Sequence, residues 1–326
     1  MLKMAEKTAK NTTEKKRSGA MDFAVRLIRE KPMGLIGGII TILLLLTGIF
    51  APLLAPFGPN VIHGLNALEG PSLKFWLGTD WLGRDILSRV IYGARISLIV
   101  GLAASLIASV IEIIIGVISG YVGGKLDLIV QRFVDAVMCF PSLILLMVII
   151  SIISPGIIQI IVVLGIQGGI AGSRVIRSAT IGIKENLYIQ SAVAIGAPTT
   201  DVLRQHILPN IMAPIIIEFT TRMPGIILTE AGLSFLGYGI PPPAASWGAM
   251  LSGSARTYMF ISPWMVVWPG LALSVVVFGV NMFGDAVRDI LDPRLRGGIG
   301  RYGLSPKNLD KIKNQSNIQS GIVKVD

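Results

Sequence analysis

The chain has 326 residues, of which 52% are hydrophobic and only 15% are charged. Its mean hydropathy of +0.70 is too high for a soluble domain of ordinary size. The formal net charge of +10 does not indicate a nucleic-acid partner, because the basic residues concentrate in two tails without aromatic interleaving. The composition therefore predicts an integral membrane protein.

The N-terminal part consists of a basic tail, residues 1–31, and an uncharged run from Gly34 to Leu54. About 20 apolar residues suffice to cross the hydrocarbon core as a helix. The run is too long for a cleaved signal peptide and further spans follow, so we expect it to be retained. Its tail and the second basic tail, residues 292–326, both predict a cytoplasmic location, and the first is expected to contact anionic membrane lipid.

A polar, turn-rich segment follows the first span and is expected outside the cytoplasm. Further apolar blocks cover about 96–121, 128–153, 157–176, 211–236 and 265–283. Six crossings return the chain to its starting side, in agreement with the two basic tails. We therefore predict an all-α integral membrane protein with six transmembrane helices, multi-pass in the inner cell membrane. Its predicted parts are the basic tail 1–31, a first helix with an extracytoplasmic segment 32–90, a core domain of five transmembrane helices 91–291, and the cytoplasmic tail 292–326.

Small residues and the single cysteine predict packing inside this bundle. Gly116, Gly120 and Gly124 stand four apart, a spacing that predicts one stripe for close helix contact. Cys139 lies in an apolar run, and we expect it to be a small core residue. With no second thiol, neither a disulfide nor a structural zinc site is expected.

The sequence contains no recognisable catalytic grouping. Gly123, Gly124 and Lys125 resemble the end of a phosphate-binding loop, but Ser119 and Leu126 occupy the positions where a glycine and a hydroxyl are required. Paired carboxylates, nucleophile–base groupings and metal-ligand spacings are not apparent. We therefore expect no enzymatic activity, no ATP hydrolysis, no metal and no cofactor in this chain.

Four charged residues fall inside predicted spans, where charges are costly and are candidates for function. Glu218 and Arg222 stand four apart in the fifth span, and a mutual ion pair is the plain interpretation, with a role in passage as the alternative. For Glu112 in the second span, a polar contact with another span or another subunit and a direct role in passage stand as equal alternatives. Glu230, also in the fifth span, is the remaining candidate.

The least hydrophobic interior part of the chain, residues 178–210, predicts a cytoplasmic loop longer than an ordinary connection. Small residues at 191, 192 and 194 predict a helix that a large partner can approach closely. Gly196 permits a sharp turn, Pro198 suits the first turn of a second short helix, and Pro209 redirects the chain into the fifth span. The pattern predicts a helix-turn-helix.

This loop resembles that of ABC importer permeases, in which EAA is followed by three residues, glycine, nine residues, isoleucine, one residue and Leu-Pro. Gln190, Ser191 and His206 depart from the pattern, whereas Gly196 matches it. The HILPN form, together with LGTDWLGRDILSRVIYGARISL, EAGLSFLGYGIPPP and GDAVRDILDPRLR, resembles C-type permeases of dipeptide, oligopeptide and nickel importers. The residues that this resemblance assigns to ATPase coupling are Gln190, Ser191, Ala192, Gly196, Ala197, Asp201, Arg204, His206, Leu208 and Pro209.

The resemblance implies a permease that forms half of a translocation pathway for di- or oligopeptides. Its implied partners are a second homologous permease, two cytoplasmic ATPase subunits that bind the ATP, and an extracytoplasmic substrate-binding protein. Nickel or another solute is the alternative cargo. A secondary transporter or channel is the alternative function, because six spans and buried charges also suit that class, and a membrane-embedded enzyme is a third.

Overall fold

The computed structural model describes residues 19–291, with side chains from residue 23 onward. No strand occurs among these residues, although Thr79 and Asp85 form one isolated antiparallel bridge. The predicted tail 292–326 and residues 1–18 of the N-terminal tail lie outside the described residues. The helices are α1 Gly19–Glu30, α2 Pro32–Ile49, α3 Ala51–Leu54, α4 Ile86–Val122, α5 Gly124–Met138, α6 Ser142–Ile153, α7 Ile157–Lys184, α8 Leu187–Ala194, α9 Thr199–Asn210, α10 Met212–Phe235, α11 Trp247–Met250, α12 Ser254–Tyr258 and α13 Trp264–Leu291, with a 3-10 turn at Gly64–Asn66.

Four helices, α2, α4, α7 and α13, are each long and apolar enough to cross a membrane. Two bent pairs, α5 with α6 and α9 with α10, bring the number of crossings in residues 19–291 to as many as six. The all-α membrane fold is thereby confirmed. The predicted division between residues 90 and 91 falls within α4, which begins at Ile86.

The third crossing differs from the continuous span expected over 128–153. Its two helices, α5 and α6, meet at an angle of 87°. Pro141 lies at the break, where it has no N–H to continue a helix and disfavours helical geometry in the preceding residue. The twelve residues of α6 extend about 18 Å, which is less than the roughly 30 Å of a hydrocarbon core.

Two sets of contacts define the ends of the helix bundle. At one end, Lys31 before α2 pairs with Asp289 near the end of α13, with Nζ and Oδ2 2.6 Å apart. At the other end, the indole of Trp264 donates to the carbonyl of Thr79 at 3.1 Å. The beginning of α2 and the end of α13 therefore lie at the same end, as an even number of crossings requires. We call it the loop end, because α8 and α9 lie there too.

Glycines bring α4 and α7 into the most extensive helix contact of the described chain. A β-carbon on Gly116 would approach the carbonyl oxygen of Ser173 to 2.7 Å, and one on Gly120 would approach that of Arg177 to 2.9 Å. Gly124 does not continue this stripe, because α4 ends at Val122 and Gly124 has open space around it. The close packing predicted for the first two glycines is present, and the position expected for the third is wrong.

Cys139 is exposed, so the expectation of a small core residue is wrong. It occupies the break between α5 and α6, where the chain leaves one helix direction for another. An apolar run predicts burial only where its helix packs against neighbouring helices. At this break the helix ends, and the thiol is left accessible.

Candidate functional site

A cavity of about 680 Å³ opens between the broken crossing α5–α6 and the helices α7 and α10. Most of its wall is apolar, for example Leu146, Leu164 and Ile226. Of the described residues that line it, two are charged, Glu218 and Arg222. The cavity is therefore an apolar chamber with one polar corner.

Arg222 joins two carboxylates at this corner. Its Nη2 atom pairs with Oε2 of Glu218 on the same helix at 3.0 Å and also with Oε2 of Glu112 on α4. Glu112 is fully buried, whereas the side chain of Glu218 keeps 24% of its surface exposed. The predicted Glu218–Arg222 pair is present, and the partner left open for Glu112 is Arg222. We call these three residues the charge cluster.

Two glycines of α7 leave the space through which the Arg222 side chain reaches α4. A β-carbon on Gly168 would approach Cδ of Arg222 to 3.2 Å, and one on Gly172 would collide with both Arg222 Nη2 and Glu112 Oε2. No side chain larger than hydrogen fits at Gly172 beside the ion pair. Neither glycine was predicted from the sequence to lie at the site, although their four-residue spacing is a signal of close approach.

The charge cluster lies well inside the bundle. Glu112 precedes the end of α4 by ten residues, and Arg222 follows the start of α10 by ten residues. At 1.5 Å per residue, both are about 15 Å from the loop end. Glu112 and Arg222 are therefore separated from α8 and α9 by about ten residues of α4 and α10, respectively.

Glu230 does not belong to this cluster. It is fully buried two turns further along α10, where its Oε1 accepts a hydrogen bond from the hydroxyl of Ser234 at 2.7 Å. The Ser234 oxygen in turn accepts from the backbone N–H of Ile240 at 3.3 Å. Glu230 is thus connected through Ser234 to the turn after α10.

The turn between α8 and α9 has the geometry expected of a glycine-terminated helix. Gly196 has a φ of +87°, which a residue with a β-carbon rarely adopts. The N–H of Ala197 bonds to the carbonyl of Ala192 at 3.1 Å, and that of Gly196 bonds to the carbonyl of Val193 at 3.0 Å. This pair of bonds is the Schellman motif that ends many helices. Pro198 is the N-cap of α9, one residue before the first turn in which it was expected.

The end of α9 departs from simple helical geometry. Residues Val202–Ile207 form wider, π-helical turns, and Pro209 follows within the last turn, where it donates no backbone hydrogen bond. A change of direction was predicted at Pro209. It occurs two residues later, where α9 and α10 meet at an angle of 56° after Asn210.

Buried isoleucines fix α8 and α9 to the bundle. Ile189 of α8 and Ile207 of α9 are almost fully buried and pack in one apolar cluster with Val117, Ile176 and Ile215 of α4, α7 and α10. Lys184, at the end of α7, donates to the carbonyl of Tyr121 in α4 at 2.6 Å. The two short helices are therefore attached to three long helices.

The structure separates the residues assigned to ATPase coupling into outward-facing and anchoring groups. Exposed members are Gln190, Ser191, Gly196, Asp201, Arg204 and Pro209, and partly buried members are Ala192, Ala197, His206 and Leu208. The His206 ring packs edge to face on Tyr188, with 6.2 Å between ring centroids. Two apolar residues of this surface, Leu187 and Ile195, are 80% and 86% exposed and were not among the predicted coupling residues.

The sequence matches two family profiles. Residues 112–297 match the binding-protein-dependent transport system inner membrane component, and residues 23–71 match the N-terminal transmembrane domain of oligopeptide transport permease C. The first match alone covers more than half of the chain. The chain belongs to this family of importer permeases. The permease is thus a membrane-spanning transport component, as the resemblance of its loop indicated.

Curated relatives align with the permease over most of their length. The oligopeptide transport system permease protein OppC of Bacillus subtilis is 37% identical over 90% of this chain and 94% of its own. The dipeptide transport system permease protein DppC of Alkalihalophilus pseudofirmus is 38% identical over 84% and 90%. The glutathione transport system permease protein GsiD of Shigella flexneri is 41% identical over 83% and 90%.

A solved structure has the same fold over part of the permease. A chain of the inward-facing MetNI methionine ABC transporter superposes with a TM-score of 0.51 at 19% sequence identity. The superposition covers 63% of this chain and 96% of that chain. The helical arrangement is therefore shared with an ABC transporter of known structure.

Proposed function

We propose that this permease forms half of the pathway through which an ABC importer takes up di- or oligopeptides. The observation that carries the cargo assignment is the set of relatives named for oligopeptide, dipeptide and glutathione transport, which align over 83 to 90% of the chain. Glutathione is itself a peptide, so all three names describe one class of solute. The open cavity beside α10 suits a pathway whose remaining wall comes from a second, homologous permease.

The proposed orientation has the loop end in the cytoplasm of a cell with the permease in its inner membrane. Support comes from Arg174, Arg177 and Lys184 in the part of α7 nearest that end, since basic residues favour the cytoplasmic side. In this orientation both termini are cytoplasmic. The extracytoplasmic segment at the other end faces a substrate-binding protein, and the helix surfaces between contact membrane lipid.

We assign the surface of α8 and α9 to contact with one of two cytoplasmic ATPase subunits, which bind and hydrolyse the ATP. Leu187, Val193 and Ile195 leave apolar side chains exposed there, as expected at a surface that a partner covers. Because buried Ile189 and Ile207 attach this surface to α4, α7 and α10, closure of the ATPases would move those helices as a body. The permease needs no chemistry of its own for this step.

The turn at Gly196 provides the test. A Gly196→Val variant requires a β-branched residue at a φ of +87°, a strain of about 1 to 3 kcal/mol that displaces α8 from its docking position. We expect ATP-dependent uptake of a labelled dipeptide by the reconstituted importer to fall about tenfold.

Gly253→Val is the matched control, because Gly253 has a φ of +52° and open surroundings but lies outside residues 187–210. Uptake by the control should stay near the wild-type rate. Undiminished uptake by Gly196→Val would contradict the coupling role, and uptake of nickel rather than dipeptide would contradict the cargo. Uptake by this chain alone, driven by a proton or sodium gradient, would favour a secondary transporter.

A further inference from the structure

The charge cluster holds more negative than positive charge. Glu112 and Glu218 contribute two carboxylates, and Arg222 contributes one cation. An unbalanced charge at this depth in a membrane protein is costly unless a partner or a ligand of opposite sign approaches it. Of the two carboxylates, that of Glu218 lines the cavity and is partly exposed, whereas Glu112 is enclosed. The available acceptor is therefore on Glu218.

A hydrogen-bond donor lies beside that acceptor. Nη1 of Arg222 is buried and has no hydrogen-bond partner among residues 19–291, while Nη2 of the same guanidinium holds both carboxylates. A guanidinium has five N–H groups and no acceptor, so Arg222, which lines the cavity, has more donors than its two ion pairs use. An anionic acceptor and a cationic donor thus adjoin at one corner of an apolar chamber.

From this arrangement we infer that Glu218 and Arg222 bind the amino-terminal end of a peptide in transit. The α-ammonium group pairs with the Glu218 carboxylate and balances the charge cluster, and the first carbonyl oxygen of the peptide accepts from the Arg222 guanidinium. Ammonium and carbonyl are separated by a single α-carbon in every peptide linked through its α-carboxyl groups, so the site recognises the backbone end and leaves the side chains to the apolar wall. This inference rests on the proposed function and specifies which chemical group of the cargo the permease contacts.

The test measures protection of the cavity by peptide. Cys139 is the single cysteine, so Cys139→Ser provides a cysteine-free background into which Thr221→Cys, on the cavity wall, is introduced as a reporter. The variant is assembled with its partner permease and ATPases in nanodiscs, without the substrate-binding protein. The labelling rate by a small neutral thiol reagent is recorded against increasing alanyl-alanine or N-acetyl-alanyl-alanine.

We expect alanyl-alanine to slow labelling and its acetylated form, which keeps the carbonyl but lacks the ammonium, to need at least about tenfold higher concentration. Adding Glu218→Gln should raise the half-protecting concentration of alanyl-alanine by a similar factor. Glu30→Gln, the same change at an exposed carboxylate of α1, should leave protection unchanged.

Equal protection by the two peptides, or unchanged protection in Glu218→Gln, would overturn the inference. Absence of protection by either peptide would also overturn it, because a basic side chain of the partner permease would then be the natural occupant. ATP-dependent dipeptide uptake by the wild-type importer is measured alongside. If the importer takes up dipeptide but peptide does not protect the cavity from labelling, the proposed function is supported and this binding site is refuted. If the wild type transports no peptide, the proposed function and the binding site are both refuted.

Discussion

Arg222 forms ion pairs with both carboxylates of the charge cluster. It connects α10 with α4 through Glu112, although these residues are separated by 110 positions in the chain. The guanidinium reaches Glu112 only because α7 presents glycine where it passes. Breaking a buried ion pair leaves an uncompensated charge and costs about 3 to 5 kcal/mol, so the glycine is as important as the charges.

Gly172→Leu should therefore lower the thermal stability of the purified permease complex, because the new side chain displaces Arg222 from Glu112. The expected loss is about 3 kcal/mol or more, measured as a lower midpoint of thermal aggregation in detergent. Gly182→Leu is the control on the same helix, since the space around Gly182 is open. Equal midpoints for the two variants would show that the ion pair tolerates separation.

At the scale of elements, α8 combines an anchored face with an exposed one. Ile189 is 1% exposed and packs against the long helices, whereas Ile195, immediately after α8, is 86% exposed. Burial of the first attaches the element to the bundle, and exposure of the second leaves apolar area for a partner. One isoleucine therefore anchors the helix, and another, six residues later, is exposed to a partner.

Ile189→Ala and Ile195→Ala should separate these purposes. Removal of a buried isoleucine side chain costs about 2 to 5 kcal/mol, so amide hydrogen exchange in Leu187–Ala194 should accelerate at least tenfold in Ile189→Ala. Ile195→Ala should leave exchange in the isolated permease unchanged but reduce the amount of ATPase that co-purifies with it. Faster exchange in Ile195→Ala would show that its side chain is an anchor after all.

For the whole molecule, exposed apolar side chains occur at both ends of the bundle. The end that includes residues 55–85 exposes Leu65, Leu73 and Trp76, and the loop end bears the exposed surface of α8 and α9. The Lys31–Asp289 pair holds the beginning and the end of the described bundle at the loop end. We propose that the loop end faces the cytoplasm and that the opposite end faces the outside.

Cysteine labelling tests that assignment in intact cells. In the Cys139→Ser background, Leu65→Cys should react with a membrane-impermeant maleimide added outside, because Leu65 is fully exposed at the end proposed to be extracytoplasmic. Ile195→Cys, exposed at the loop end, should react only after the cells are permeabilised. The reverse pattern would invert the proposed orientation.

Much of the architecture follows from local sequence patterns. Hydropathy located the crossings, because each span must satisfy its backbone within itself and exclude water along its length. The i, i+4 spacing predicted the Glu218–Arg222 pair, and the glycine before a proline predicted the turn at Gly196. All of these signals lie within one helix or one turn.

The tertiary structure decided what no local pattern contains. Hydropathy does not register the 87° break at Pro141, since both α5 and α6 contribute apolar residues to one block, and the break leaves Cys139 exposed. The partner of Glu112 depends on which helices become neighbours and on the glycines between them. Sequence alone therefore determined that this is a helical membrane permease with charges inside its spans, and only helix packing determined that three of those charges meet beside a cavity.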